Sequence, residues 1–455
     1  MGVSPPPRAA RPSPGDELEL SVEGLAFGGN GVARREGYVV FVAGGVPGDR
    51  VRARVTKAKR AYAEARAEEI LTPGPNRIAP RAEHPGAPWQ VLPYERQLAV
   101  KQEQVEEALR RIGHLDGYVL EPMVPAVEQW RYRNKLEYSF GTGAGGELLC
   151  GFHAPGRWHE IVPIEDCLLA SERSNRAREQ VVAFCREHRL PAYDRRTGEG
   201  FLRNLVVREG RRTGQIQVRL TTAPGELDAD ALVGAVECDG LLWTRTDALG
   251  ETTSAGETDL LAGSDYLEEE LGGLQVRISP QAFFQTNTEM AEQLYAVAAE
   301  YAALEGYERV YDLFCGIGTV GLTLAPRAGE LWGLEIVESA VGDAIANAKL
   351  NEIERVHFFA GDVRLALREL AAEAGRPDVL VVDPPRAGLS PKVVRRIIET
   401  APKRIVYISC NPTTLAPNAA QLVEAGYALR RVRPVDMFPQ TPHIECVAEL
   451  ERVSG

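Results

Sequence analysis

The sequence has no CxxC pair, no run approaching the roughly 18 apolar residues a membrane span requires, and no excess of positive charge. Its seven cysteines (Cys150, Cys167, Cys185, Cys238, Cys315, Cys410 and Cys446) are scattered and odd in number. That argues against a disulfide framework and for a reducing, cytoplasmic setting. The opening MGVSPPPRAARPSPG lacks the apolar stretch of an export signal, so a soluble, non-exported protein is expected. With 44% hydrophobic and 25% charged residues over 455 positions, a disordered or fibrous chain is excluded and two to four domains are expected.

The net charge of −12 argues at first against a nucleic-acid partner, but it is unevenly placed. Residues 226–270 carry thirteen acidic side chains against one basic one, Arg245, and account for all of it. The remainder is neutral on balance. It holds basic clusters at Lys57, Lys59, Arg60 and Arg66 and at Arg131, Arg133 and Lys135. Phosphate binding follows local patches rather than net charge, so the acidity excludes nothing.

Residues 1–15 are Pro-rich and read as a disordered tail. From 16 to 72, short runs of β-formers (LELSVEGLAF, GYVVFV, RVRARVTKAK) alternate with the turns GGNG (28–31) and VPGD (46–49), which predicts a small β-barrel. Residues 94–113 take helical periodicity, with Leu98, Val105 and Leu109 near one face and Gly113 as a stop. Residues 125–270 read as mixed and β-rich. The acidic stretch closes them and is expected to be a solvated surface.

The last third carries the chemistry. RVYDLF (309–314) leads into CGIGTVG, LWGL ends at Glu335, VHFFAG at Asp362, VLVV at Asp383 and RIVYIS at Cys410. Helical segments such as 337–350 and 391–400 fall between these runs. Near-continuous apolar strands alternating with helices predict a parallel, doubly wound α/β sheet, whose ligands bind beyond the carboxyl ends of the strands. Every polar residue just named sits there.

Gly316, Gly318 and Gly321 form GxGxxG after a strand. By itself this fits a dinucleotide-binding dehydrogenase, a methyltransferase or a packing turn. Glu335 follows Asp312 by 23 residues, near the interval of an acidic side chain that accepts from ribose hydroxyls. DPPRAG (383–388) sets a carboxylate on a rigid turn. Arg386 stands where the similar turn of amino-methyltransferases has an aromatic, which argues against an exocyclic-amine target. In SCNP (409–412), Cys410 lies at the strand's ligand-binding end beside Asn411, whose amide is expected to donate to a pocket oxygen. Cys315 and Cys446 read as packing thiols.

DLFCGIGTVGL, DPPRAGLS, ISCNPTTL, the HIEC ending (443–446) and FFQTN (283–287) resemble the RNA (uracil-5-)-methyltransferases. These enzymes form 5-methyluridine with S-adenosyl-L-methionine, and the resemblance covers almost the whole chain. Residues 16–72 resemble a TRAM domain, the RNA-binding barrel of the ribosomal RNA members that the transfer-RNA branch typically lacks. The resemblance therefore implies RNA as partner, 23S ribosomal RNA in particular. It also implies a Rossmann-like methyltransferase domain over 271–455, a TRAM/OB-like barrel and a β-rich central RNA-binding domain over 73–270, with the 94–113 helix packed on the catalytic domain.

Position by position, it makes Cys410 the nucleophile and Glu445 the proton-abstracting base. Gln285, Phe314, Gly316, Gly318, Glu335 and Asp383 fall at cofactor and uracil positions, with Asp362 set toward the adenine amine. Lys57, Lys59, Arg60, Arg131, Arg133 and Lys135 become the RNA contacts. The chemistry accounts for the residue types. Uracil C5 is too weak a nucleophile to take a methyl group until a thiolate adds at C6, and a base must then remove the C5 proton. Many ribosomal members also hold a four-iron cluster on four cysteines. Here AEHPGAPWQVLPY (82–94) has none and only Cys167 resembles a ligand, so no iron–sulfur cluster and no metal are expected.

Three other readings stand beside this one. A nicotinamide-dependent oxidoreductase rests on GxGxxG alone and leaves SCNP and the barrel unexplained. A non-catalytic RNA-binding factor on the same scaffold leaves Cys410 and Glu445 unexplained. The same methylation of transfer RNA leaves only the barrel unexplained.

Overall fold

The computed structural model describes residues 11–248, 250 and 256–453, so residues 1–10 of the expected tail lie outside the described residues. The chain divides into two compact units. The first holds the described residues up to Glu83, with Ala87–Val105 and Phe438–His443; the second holds the rest.

In the first unit, β1 (Glu17–Leu25), β2 (Gly31–Arg35), β3 (Tyr38–Ala43), β4 (Arg50–Ala58) and β5 (Tyr62–Thr72) close a barrel in the order β1-β2-β3-β5-β4. Its core follows from the two-residue period. Leu18, Leu20 and Val22 point inward while Glu17, Glu19 and Ser21 face solvent, and Val40, Val42, Val51, Ala53 and Val55 complete the interior. Gly15 N donates to Val55 O at 2.8 Å, so chain order begins ahead of β1.

The Asp49 carboxylate is fully buried. It accepts from the backbone N–H of Val46 and of Gly74, both at 2.8 Å, and from Arg77 at 2.7 Å. Of the expected apolar face of helix α1 (Tyr94–Glu107) and its continuation, Val105 and Leu109 are fully buried and Leu98 is half-buried, and the polar Gln97 and Lys101 are buried with them. The reason is polar pairing. Gln97 Nε2 donates to Gln440 Oε1 at 2.8 Å and Gln97 Oε1 accepts from Gln440 N at 2.9 Å, while Lys101 Nζ donates to Phe438 O at 3.0 Å.

The second unit contains two large sheets. After β6 (Val119–Leu120) come β7 (Lys135–Thr142), β8 (Leu148–Ala154), β9 (Arg157–Pro163), α2 (Glu172–Glu187), β10 (Leu202–Glu209), β11 (Ile216–Thr222), α3 (Ala229–Ala235), β12 (Gly240–Arg245) and β13 (Glu257–Gly263). The order β13-β12-β11-β10-β7-β8-β9 makes a seven-stranded sheet with β13 and β9 at its edges. Beneath it His84 Nε2 meets Cys167 Sγ at 3.3 Å, both side chains buried. A hairpin, β14 (Leu267–Leu271) and β15 (Leu274–Ile278), and helix α4 (Thr288–Ala302) lead to the second sheet.

There β16 (Arg309–Leu313), α5 (Thr319–Leu324), β17 (Glu330–Glu335), α6 (Glu338–Leu350), β18 (Val356–Ala360), α7 (Val363–Glu373), β19 (Val379–Val382), α8 (Pro391–Thr400) and β20 (Arg404–Ser409) alternate. Helix α9 (Pro412–Glu424) and the antiparallel pair β21 (Tyr427–Val435) and β22 (Glu445–Arg452) follow. The sheet runs β18-β17-β16-β19-β20-β22-β21-β6. Strands β16 to β20 are parallel, and the central β16, β19 and β20 are buried on both faces, which is why they read as apolar runs. The turn Ala108–Ile112 that continues α1 packs on α9. No helix among the described residues is long and apolar enough to cross a membrane.

Candidate active site

Strand β16 lies between β17 and β19, so the chain winds outward from it in both directions and a crevice opens at the carboxyl ends. The β16 end continues into Phe314, whose φ of +63° is rare for a residue with a side chain, and into Gly316 and Gly318 at +54° and +85°. Gly321 stands so close that an added Cβ would meet Asp312 Oδ2 at 2.7 Å. Its N–H donates to that same oxygen at 2.9 Å, which ties the glycine turn to the strand. Glu335 at the end of β17 accepts from Gly316 N at 3.2 Å and Val337 N at 2.9 Å, bridging two strand ends.

Strand β22 runs against β20 with Ser409 opposite Cys446. Continued by one residue, that register sets Cys410 opposite Glu445. Cys410 is half-buried, whereas Glu445 is 4% exposed. The electrostatics follow from burial and crowding. Burial first, then Glu445 and Asp383, push the Cys410 thiol up to about 11, and Arg386 opposes the shift. Burial and then Asp383 hold Glu445 well above the usual carboxylate range, again against Arg386. Burial raises Asp383 to about 7 and Asp312 to about 8. Asp312 Oδ1 is buried with no hydrogen-bond partner among the described residues. Cys315 and Cys446 are buried thiols whose acidity burial suppresses.

The loops carrying these groups are tied down. Asn411 caps α9 by accepting from Thr413 N at 3.0 Å, and its Nδ2 donates to Arg386 O at 3.2 Å. One N–H of its amide thus braces the DPPRAG turn, because a helix start needs an acceptor there and the turn offers a carbonyl. Asn418 holds the same turn through Leu389 N at 2.8 Å and Leu389 O at 3.0 Å. Asn134 Nδ2 donates to Gln285 O at 2.8 Å, fixing the buried segment before α4.

The remaining candidates are more dispersed. Asp362 caps α7, accepting from Arg364 N at 2.9 Å and pairing with the Arg364 guanidinium. Lys57 pairs with Glu64 at 3.1 Å on the barrel, while Lys59 and Arg60 are exposed at the turn after β4. Arg131 binds Asp166 at 2.7 Å and Ala170 O at 3.0 Å, Arg133 lies 6.0 Å from the Tyr132 ring, and Lys135 pairs with Glu137 at 2.5 Å. Two participants escaped sequence reasoning. Asp312 was noticed only as the origin of a spacing, and Arg386 only as a missing aromatic; an acidic residue inside an otherwise apolar strand was the available signal for the first.

Comparison with known proteins decides the family. The tRNA (Uracil-5-)-methyltransferase pattern matches residues 252–453 and the TRAM domain pattern residues 13–67. An uncharacterized RNA methyltransferase of Clostridium tetani is 37% identical over 451 residues, covering 96% of this chain and 98% of its own. Another, of Bacteroides thetaiotaomicron, is 37% identical over 457 residues, covering 94% and 100%. The chain belongs to the RNA (uracil-5-)-methyltransferase family. The crystal structure of the Pyrococcus abyssi tRNA (uracil-54, C5)-methyltransferase in complex with S-adenosyl-L-homocysteine superposes with a TM-score of 0.78 at 28% identity, covering 95% of this chain and 100% of that one.

This uracil-5-methyltransferase is accordingly an S-adenosylmethionine-dependent enzyme acting on RNA. Its cleft suits that cofactor. Asp312, Glu335, Asp383 and Glu445 gather at one sheet end, two of them raised to about 8 and 7 for want of a counter-charge, and a sulfonium is a cation. Ile336 and Val337, 62% and 50% exposed after Glu335, offer apolar surface beside it for a flat ring.

Proposed function

We propose that the protein methylates C5 of a uridine in 23S ribosomal RNA, with Cys410 adding to C6 and Glu445 removing the C5 proton. The observation that carries this is the Ser409–Cys446 register, which faces the thiol with a carboxyl group across one strand spacing at the open end of the sheet. The thiol, at about 11, is un-ionised at rest, so its proton leaves to a carboxylate of the cluster as the carbon–sulfur bond forms. Addition places negative charge on C5. S-adenosylmethionine supplies the methyl group when bound, held by Gln285, Phe314, the 316–318 turn, Glu335 and Asp383, with Asp362 at the rim. Glu445, which the positive charge of the bound sulfonium would favour in its ionised form, then takes the C5 proton and the Cys410 thiolate departs, restoring the uracil ring. The target base must leave its stack at a cost of a few kcal/mol, which contacts from Lys57, Lys59, Arg60, Arg131, Arg133 and Lys135 offset.

The ribosomal assignment rests on the TRAM-type barrel. Transfer RNA is the second reading, and one observation favours it: a transfer-RNA enzyme aligns over 95% of this chain, an alignment that must take in more than half of the barrel. The barrel therefore weighs toward ribosomal RNA without excluding transfer RNA, and the labelling experiment separates the two. The test is nucleoside mass spectrometry after incubation with methyl-labelled S-adenosylmethionine, with unmodified ribosomal and transfer RNA in separate tubes. Labelled 5-methyluridine in ribosomal RNA alone is expected. Label in transfer RNA alone keeps the chemistry and moves the substrate; label in neither, with RNA binding intact, overturns the catalytic reading.

A further inference from the structure

The seven-stranded sheet has two unlike edges. At one, β13, which lies within the acidic segment 226–270, carries exposed Glu257 and Asp259, both paired to Arg245 at 3.7 and 2.7 Å. At the other, β9 exposes Trp158 at 57% beside His159, their rings 5.9 Å apart at 85°. Six strand spacings, about 29 Å, separate them. The β9 edge borders a groove of about 130 Å³ whose other wall includes Tyr193, Arg195 and Arg196. Arg203 stacks on Tyr193 with 4.6 Å to the ring centre.

Charge here is close to balanced but positive. Arg157, Arg195, Arg196 and Arg203 stand against Glu160, Asp194 and Glu199; Arg157 holds Glu160 at 2.5 Å and Arg196 holds Asp194 at 3.1 Å. An exposed tryptophan on an edge strand, a second aromatic across the groove and arginines between them are the parts of a stacking platform for single-stranded nucleic acid. The far edge, acidic and about 29 Å away, offers the same polyanion no such platform. Position along β7 separates this groove from the reaction. The Asn134 end of β7 touches Gln285, whereas Phe140, Gly141 and Thr142 line the groove, about 24 Å further along the strand.

We infer that the groove between β9 and the Tyr193–Arg196 loop is a second RNA-binding site, which stacks unpaired nucleotides flanking the target. The inference rests on the proposed RNA substrate and adds a flanking subsite to it. The test uses the full chain and two probes: a fluorescein-labelled 12-nucleotide single-stranded RNA carrying 4-thiouridine, and unmodified ribosomal RNA. Trp158→Ala is expected to weaken binding of the 12-mer about tenfold or more, whereas Trp158→Phe keeps most of it. On ribosomal RNA, Trp158→Ala is expected to raise KM and leave kcat and S-adenosylmethionine affinity unchanged. Photocross-links are expected in the peptides holding Trp158 or Tyr193.

Wild-type affinity and KM in Trp158→Ala overturn the site. So do cross-links confined to other segments, or recovery of this edge bound to a protein in place of RNA. If no RNA is methylated and Trp158→Ala still loses RNA binding, the groove stands and the proposed reaction falls. If methylation proceeds and Trp158→Ala changes nothing, the groove alone falls.

Discussion

Asp49 in the barrel and Asp312 in the cleft are both 0% exposed, and each accepts backbone hydrogen bonds, yet their acidities move in opposite directions. For Asp49, burial acts upward but is outweighed by Arg77 and the Val46 and Gly74 N–H groups, so the carboxylate ends below its ordinary range. For Asp312, burial meets one backbone donor and the further negative charge of Asp383 and Glu335, so the group rises to about 8. The barrel closes its charge account internally. The cleft leaves Asp312 and Asp383 without counter-charge, a state that costs stability and makes sense where a cationic ligand arrives.

The largest test of the difference is chemical. Cys410→Ala is expected to abolish methylation while leaving S-adenosylmethionine binding intact. Glu445→Gln is expected to lower turnover by about 10²–10⁴-fold and to accumulate a protein–RNA adduct that survives denaturing electrophoresis, because the thiol leaves only after the C5 proton does. Turnover in Cys410→Ala at the wild-type rate would discard the mechanism.

Next comes a pair of substitutions of opposite sign. Asp49→Ala removes one partner of a buried ion pair and strands two N–H groups, so the barrel is expected to lose about 3 kcal/mol in denaturant titration. Asp383→Asn relieves crowding and is expected to raise the melting temperature of the ligand-free protein at pH 8 while weakening S-adenosylmethionine binding. Equal destabilisation by both would erase the contrast.

The pH responses sharpen it further. Asp49 has a depressed acidity constant, so its contribution is present above the unfolded value of 3.8 and is lost as pH falls through its lower folded value. Asp383 and Asp312 are raised to about 7 and 8, so their contribution is complete below 3.8 and is lost as pH rises through those values. Hydrogen exchange resolved by peptide is expected to show barrel protection falling in acid and cleft protection falling toward pH 8. Cationic S-adenosylmethionine should restore cleft protection more than the uncharged-sulfur S-adenosylhomocysteine does.

The smallest effect concerns the thiol itself. In a Cys238→Ser background, which removes the other half-buried cysteine, iodoacetamide labelling of Cys410 is expected to rise about tenfold per pH unit up to about 11. A plateau below pH 8 would mean a thiolate already formed in the empty cleft.

The catalytic sheet was legible because its strands are contiguous apolar runs and its chemistry sits at their ends: Glu335, Asp383 and Cys410 each follow such a run directly. The barrel was legible from its alternation and glycine turns. On helix α1 the buried face was legible at Val105 and Leu109 but not at Gln97 and Lys101, which enter the interior through partners, Gln440 and Phe438, more than 300 residues away. The bracing bond of Asn411 was not legible for a related reason: its partner, the Arg386 carbonyl, belongs to another loop.

By itself the sequence determined which residue types stand at which strand ends, because periodicity and turn chemistry are local. Only the tertiary structure decided which of them share a space. The antiparallel insertion of β22 between β20 and β21 carries Glu445 to Cys410, and strand order assembles Asp312, Glu335 and Asp383 into one low-dielectric cluster. Acidity depends on distance and solvent access, which are properties of the packed chain, and so the same aspartate type is an ionised strut in one unit and a carboxyl held back from ionising in the other.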